Sequence, residues 1–207
     1  MSEILFIRHP ETDMAGTFCG YSDPDVNEGG RAQITELIDT LSTEDICAVY
    51  ASDLRRAQTT GRAIAKAFGI DLHTRSSLRE IGFGQWEGLT WKDIEHRDEA
   101  YSRQWIAEYP RLPAPDGEGF HDFERRVLDE VALLSVTAES NGRRIAVVTH
   151  AGVLRVVLCT LQGHSEGYAW EQTRSYCSIV RHFCCATKTL TSGVEKSLEP
   201  FDENDEV

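Results

Sequence analysis

The sequence predicts an α/β protein, a three-layer α/β/α sandwich built on a mainly parallel sheet and carrying a helical cap insertion. Two observations predict it. Short unbroken apolar runs, of the kind buried on both faces of a parallel sheet, recur at Ile4–Ile7, Cys47–Ala51 and Ile145–Thr149. Segments with helical periodicity separate them, so strand and helix alternate along the chain. A third observation bounds the organisation: no internal repeat or linker divides the 207 residues, a length suited to one domain with a sizeable core.

The first run, Ile4-Leu5-Phe6-Ile7, ends abruptly in Arg8-His9-Pro10, and a loop marked by Gly16, Gly20, Pro24 and Asp25 comes next. Asn27 is placed to cap a helix whose apolar residues Ile34, Leu37, Ile38 and Leu41 fall at helical spacing. Cys47 to Ala51 is the second strand, running into Ser52-Asp53-Leu54-Arg55-Arg56 and a helix that Gly69 stops near Phe68. Ile70 to Thr74 reads as a short edge strand. Leu78 to Leu89, rich in glycine and aromatics, reads as an ordered loop.

The cap insertion is expected over about 90–140, as helices interrupted by Pro110, Pro113 and Pro115. Its last helix carries Phe120, Phe123, Val127, Val131 and Leu134 on one face. Ile145 to Thr149 is the third strand, leading into His150-Ala151-Gly152 and a helix over Val153–Leu161. Tyr176–Thr191 alternates as a β-hairpin would. The domain is taken as 1–194. Residues 195–207, with Glu195, Glu199, Asp202, Glu203, Asp205 and Glu206 against Lys196, read as a solvated, disordered tail.

A formal charge of −13 disfavours nucleic acid and anionic membranes as partners, because both are repelled at long range. Binding an anion would then require a few arginines focused in one pocket. The six cysteines show no C-x-x-C spacing, and no His/Cys pair is spaced for zinc. The apolar run before Arg8 is only the four residues Ile4 to Ile7, and no run approaches the roughly 18 of a membrane span. A reduced, cytoplasmic protein is expected.

In parallel sheets ligands bind beyond the carboxyl ends of the strands. Here three strands end in Arg8-His9, in Ser52 to Arg55 and in His150, so the three ends could converge on one phosphate site. Arg8 and Arg55 can bind phosphoryl oxygens bidentately. A histidine among them stays neutral near pH 7, because neighbouring positive charge disfavours its protonation. Neutral His9 could then attack phosphorus, with His150 donating to the equatorial oxygens. The leaving alkoxide needs a proton from a carboxylic acid, and Glu80 beside Ile81, Phe83 and Trp86 is the best placed; Glu87 and Glu11 are the substitutes. Arg56 is expected on a solvated basic helix face. Cys19 is expected to line the pocket rather than act as a nucleophile, since no base is visible for it. His73, His96, His121, His164 and His182 are expected to be surface or structural.

These residues carry a resemblance. Leu5-Phe6-Ile7-Arg8-His9-Pro10-Glu11-Thr12, Ser52-Asp53-Leu54-Arg55-Arg56-Ala57-Gln58-Thr59, Leu78 to Gly88, and Val148-Thr149-His150-Ala151-Gly152 resemble, in order, four motifs of the histidine phosphatase superfamily, which includes phosphoglycerate mutases. The resemblance covers roughly Ile4 to His182. It implies a phosphoglycerate mutase-like fold and a small phosphate ester as ligand. It also implies a homodimer and no metal or organic cofactor. His9 would be the phosphorylated nucleophile and Glu80 the acid and later the base. Arg8, Arg55 and His150 would form the phosphate pocket, with Cys19, Gly20 and Gly152 at the substrate. Pro10 departs from the family's usual glycine and removes an N–H. Ala15 replaces a common asparagine, and Asn27 a common threonine.

Phe83-Gly84-Gln85-Trp86-Glu87-Gly88 looks like the phosphatase branch. Tyr101 to Trp105, Pro115 to Phe120 and Cys19 to Asp23 are similar to α-ribazole phosphatases of cobalamin biosynthesis, which makes α-ribazole 5′-phosphate the favoured substrate. The alternatives are a phosphoglycerate mutase, disfavoured by the missing longer insertion and tail, and a non-catalytic phospholigand-binding protein, which would have no use for Glu80. Trp105 or Tyr109 could lie over an aromatic substrate.

Overall fold

The computed structural model describes residues 2–184. β1 (Glu3–Arg8) is the strand that the opening apolar run dictates, and Ile4, Leu5, Phe6 and Ile7 are wholly buried in it. Their side chains alternate between two cores. Ile4 and Phe6 join Ile145 and Val147 of β4 (Arg144–Thr149) beneath α5 (Phe120–Asn141), α6 (Ala151–Val156) and α7 (Glu166–Thr173). Leu5 and Ile7 join Ala146 and Val148 against α1 (Glu28–Leu41) and α2 (Arg55–Phe68). Each such side chain contributes about 1.5–3 kcal/mol on full burial. A one-residue slip of β1 would send each to the wrong face, so register is fixed.

β2 (Ile46–Ser52), β3 (Leu72–Arg75) and β5 (Ile179–Phe183) complete a sheet of five strands among the described residues, in the order β3-β2-β4-β1-β5. The β3–β2, β2–β4 and β4–β1 pairs are parallel, and β5 lies antiparallel to β1. The carboxyl ends of β2, β4 and β1 therefore emerge side by side, with Arg8 in register with Thr149. Asn27 caps α1 by accepting from Gly30 N at 2.8 Å, as its side chain and position require.

The structure departs from the sequence expectations in two places. The 90–140 insertion divides: α3 (Trp91–Arg97) and α4 (Glu99–Glu108) cover an aromatic cluster with Trp86 and Trp105, whereas α5 is a full member of the sandwich. Pro110, Pro113 and Pro115 all lie in the connection between α4 and α5 and mark only the break, whereas α5 carries a continuous buried stripe of Phe123, Val127, Val131 and Leu134. The helix after His150 continues beyond α6 as a π-helical turn over Val157–Leu161. The expected hairpin contributes the single strand β5, bonded to β1; its second arm and the 195–207 tail lie outside the described residues. Among the described residues no helix is long and apolar enough to cross a membrane.

Candidate active site

The β1–β4 ladder continues one residue past β1, with His9 N donating to Thr149 O at 2.8 Å, and this holds His9 beside His150. Their rings lie 5.1 Å apart between centroids. His9 Nδ1 is 2.7 Å from the Pro10 carbonyl and can only donate to it, so Nε2 carries the lone pair. Arg56 Nε donates to that Nε2 at 3.3 Å. Burial and the Arg56 charge hold the His9 imidazole well below its ordinary range, against a smaller opposing effect of the Pro10 contact. His9 is therefore neutral at pH 7, with its basic nitrogen presented to the site.

Arg55 and Arg56 exchange the places expected of them. The Arg55 side chain is 60% exposed and pairs with Asp25 at 3.1 Å, away from the histidines. Arg56 is wholly buried: besides His9 it donates to the carbonyls of Ser22 (2.7 Å), Gly20 (2.8 Å) and Cys19 (3.2 Å). Helix phase decides between neighbours in sequence. In α2, Arg56 shares the inward face with Thr60 and Ile64, four and eight residues on, while Arg55 lies in line with Arg62 and Lys66 outside. That phase is legible in the sequence, and it is the signal that assigns the pocket to Arg56 rather than Arg55.

Arg8 enters from the other side. Its Nη1 donates to the carbonyls of Thr173 (2.9 Å) and Arg174 (2.6 Å), and its guanidinium lies 4.3 Å from the Tyr176 ring centroid. Neither Arg8 nor Arg56 forms an ion pair among the described residues, although Asp and Glu outnumber Lys and Arg in the chain by 34 to 21. His150 is wholly buried, and neither of its ring nitrogens meets a protein partner among the described residues; Arg8 Nε is alike in this. Burial and then Arg56 hold the His150 imidazole well below its ordinary range. An unpaired buried polar group costs about 1–3 kcal/mol, and unpaired buried cations cost more. An oxyanion held between His9, His150, Arg8 and Arg56 would offset both costs.

Glu80 reaches the site from the Leu78–Leu89 loop. Its Oε1 accepts from Ile81 N and its Oε2 from Gly152 N, each at 3.0 Å, which fixes the carboxyl at the start of α6. Gly152 allows this approach, since a Cβ there would stand 2.1 Å from Oε1. Thr149 Oγ1 donates to Leu78 O, tying the same loop to β4. Arg126, which the sequence did not single out, clamps the loop from α5 by donating to the carbonyls of Ser77, Arg79 and Glu80 at 2.9 Å.

Glu87 has a different task from Glu80. It accepts backbone N–H bonds from Gly20, Tyr21, Ser22 and Phe83 and so staples the 19–22 loop to the Glu80 loop. Burial alone would raise its carboxyl, but the Ser22 side chain and then these backbone bonds outweigh it and hold the group below the usual carboxylate range. Gly20 permits the close fit, because a Cβ there would lie 2.2 Å from the Ile81 carbonyl oxygen. Cys19 lies on that loop with its thiol against Met14 and the Ser22 carbonyl, and burial pushes the thiol up. Glu11 instead accepts from the capping Asn27 side chain. His73, His96, His121 and His164 are exposed and His182 is half-buried, all outside the cluster.

Beyond Glu80 a cavity of about 420 Å³ opens under the cap, lined by Phe83, Trp105, Tyr109, Phe120 and Trp170 and by Glu80, Gly152 and Arg155. The site thus has a cationic end with a neutral imidazole, a carboxyl at the junction, and an apolar chamber behind it. Among the described residues no cluster of His, Cys, Asp and Glu could hold a metal ion.

Comparison with known proteins identifies the family. The family model of the histidine phosphatase superfamily (branch 1) matches residues 4–187. A metal-independent phosphoserine phosphatase of Arabidopsis thaliana is 36% identical over 81% of this chain and 72% of its own length. An adenosylcobalamin/α-ribazole phosphatase of Salmonella typhimurium is 30% identical over 81% and 83% respectively. The crystal structure of the α-ribazole phosphatase from Shigella flexneri superposes with a TM-score of 0.72 at 28% identity, covering 82% of this chain and 84% of that one. With the fold, the four ordered motifs and a match over nearly the whole described chain, this protein belongs to the histidine phosphatase superfamily, branch 1, and is one of its phosphatases.

Proposed function

We propose that the chain hydrolyses a small phosphate monoester through a phosphohistidine on His9, without a metal ion, and that its favoured substrate is α-ribazole 5′-phosphate. One observation carries the chemical part: two guanidiniums without carboxylate partners among the described residues, Arg8 and Arg56, flank a neutral imidazole whose Nε2 lone pair is turned to the Arg56 guanidinium and accepts from its Nε. Arg8, Arg56 and His150 hold the phosphoryl oxygens. His9 Nε2 attacks phosphorus, the P–N bond forms as the P–O ester bond breaks, and Glu80 gives its proton to the leaving oxygen. Water then enters on the leaving-group side, and Glu80 takes its proton. The oxygen bonds to phosphorus as the P–N bond breaks, releasing phosphate and neutral His9. Cys19, Gly20 and Gly152 shape the path to the ester, while Arg55 has no part in it.

The apolar chamber behind Glu80 supports a leaving group with a flat body such as the heteroaromatic base of α-ribazole, and the Salmonella relative supports the same substrate. Phosphoserine is the second reading, favoured by the 36% identity to the Arabidopsis enzyme. The same reading puts the protein in the cytoplasm as a homodimer; Cys19, Cys47, Cys159 and Cys177, free thiols, support a reducing compartment. The test is hydrolysis of p-nitrophenyl phosphate, α-ribazole 5′-phosphate and phosphoserine in EDTA by wild type and His9→Ala. Turnover of α-ribazole 5′-phosphate at roughly 10⁴ M⁻¹s⁻¹ or above, abolished in His9→Ala, is expected. A chelator-sensitive rate, or one that survives His9→Ala, would overturn the mechanism; a strong preference for phosphoserine would overturn the substrate.

A further inference from the structure

The phosphoryl cluster accounts for Arg8 and Arg56 but leaves a third half-buried arginine unexplained. Arg155, on α6, is the one cationic residue among the described residues that lines the chamber behind Glu80. Its guanidinium is held flat, 3.4 Å from the Trp170 ring centroid, while Nε donates to Thr173 Oγ1 at 3.0 Å. Thr173 also accepts from Arg8 through its carbonyl, so one residue positions both arginines. No described carboxylate pairs with Arg155, and of the acids in the chamber wall Glu118 is already engaged by Arg126 and Glu80 by the Ile81 and Gly152 amides. With the plane fixed by Trp170 and Nε satisfied by Thr173, the Nη donors remain for a ligand. A stacked, oriented fork of this kind suits two oxygens side by side.

We propose that Arg155 is a specificity-determining residue that binds a pair of adjacent oxygens on the leaving group, the phosphate itself being held elsewhere. This rests on the proposed roles of His9 and Glu80, since those roles put the leaving group in the chamber. Two sources carry such a pair: the vicinal hydroxyls of a sugar and the oxygens of a carboxylate. They are distinguished by two substrate pairs, α-ribazole 5′-phosphate against its 2′,3′-dideoxy analogue and phosphoserine against phosphoethanolamine.

The experiment measures kcat/KM for both pairs in wild type, Arg155→Met and Trp170→Leu. Wild type should prefer the oxygen-bearing member of at least one pair by about tenfold or more, and which pair responds names the source. Arg155→Met should bring that ratio to within about threefold of unity, and Trp170→Leu should lower it. Ratios near unity for both pairs in wild type overturn the proposal. So does a preference that survives Arg155→Met or, should that variant not fold, survives Trp170→Leu, a change at a side chain that is half exposed. Failure of the underlying mechanism reads out separately, as p-nitrophenyl phosphate turnover that persists in His9→Ala.

Discussion

Exchanging the chemistry of two adjacent arginines separates the phosphate-binding account from a merely basic helix. Arg56 is wholly buried and commits four of its five N–H donors to His9 Nε2 and the carbonyls of Cys19, Gly20 and Ser22, which leaves one Nη1 hydrogen for a phosphoryl oxygen. Arg56→Lys keeps the charge but replaces a planar fork by a point ammonium, which cannot reach three carbonyls and a phosphoryl group together. At least one or two carbonyls lose their donor, at about 1–3 kcal/mol each. A net destabilisation of about 2–4 kcal/mol results, or roughly 5–15 °C in Tm at this size. Losing one preorganised donor to the developing charge costs a further 10²–10³-fold or so in kcat. Arg55→Ala removes only an exposed ion pair with Asp25, worth roughly 0–1 kcal/mol, and leaves the site intact. Steady-state kinetics on p-nitrophenyl phosphate at 25 °C, with thermal melts on the same samples, make the comparison. The reasoning fails if Arg55→Ala loses more activity than Arg56→Lys, or if Arg56→Lys stays within tenfold of wild type.

The same contacts have other consequences. His9 and His150 are held below the ordinary imidazole range, so between that depressed range and about 6.5 the unfolded chain binds protons that the folded chain does not. Stability should be fully present above about pH 6.5 and fall below it by up to about 1.4 kcal/mol per histidine per pH unit; urea midpoints from pH 8 to 5 check this, and a flat profile refutes it. Glu87→Gln puts an amide where the carboxylate accepted four N–H bonds; it should cost roughly 2–4 kcal/mol and raise KM as the 19–22 loop loosens, both read from melts and kinetics. Trp105→Ala should raise KM for an aromatic ester by about tenfold with kcat little changed, if the chamber takes an aromatic leaving group; unchanged turnover at low substrate removes that idea.

Much of the site is legible in the sequence because the chemistry stands directly at strand ends. An apolar run such as Ile4–Ile7 declares a doubly buried strand, and in a parallel sheet the residues just past its carboxyl end face the ligand edge, which locates His9 and His150. Glu80 is legible by its apolar setting. The rest lies where tertiary packing decides. Arg55 and Arg56 are the exception, since they differ in helix phase and the apolar stripe of α2, readable in the sequence, turns the second inward. Arg126 and Arg155 look like ordinary helix-surface arginines in sequence; only the packing of α5 on the Glu80 loop and of α6 on α7 gives them partners. The division of the 90–140 segment is a similar case, since local proline signals do not tell a cap from a core helix.

The central claim is the covalent phosphohistidine on His9, and rapid-quench trapping with a phosphate ester tests it most directly. Mixing enzyme with excess p-nitrophenyl phosphate, quenching in base and mapping by mass spectrometry should give a base-stable, acid-labile phosphoryl group on the peptide bearing His9, absent in His9→Ala. No phosphoryl group during turnover, or one carried by His150 or any other residue, would contradict the account.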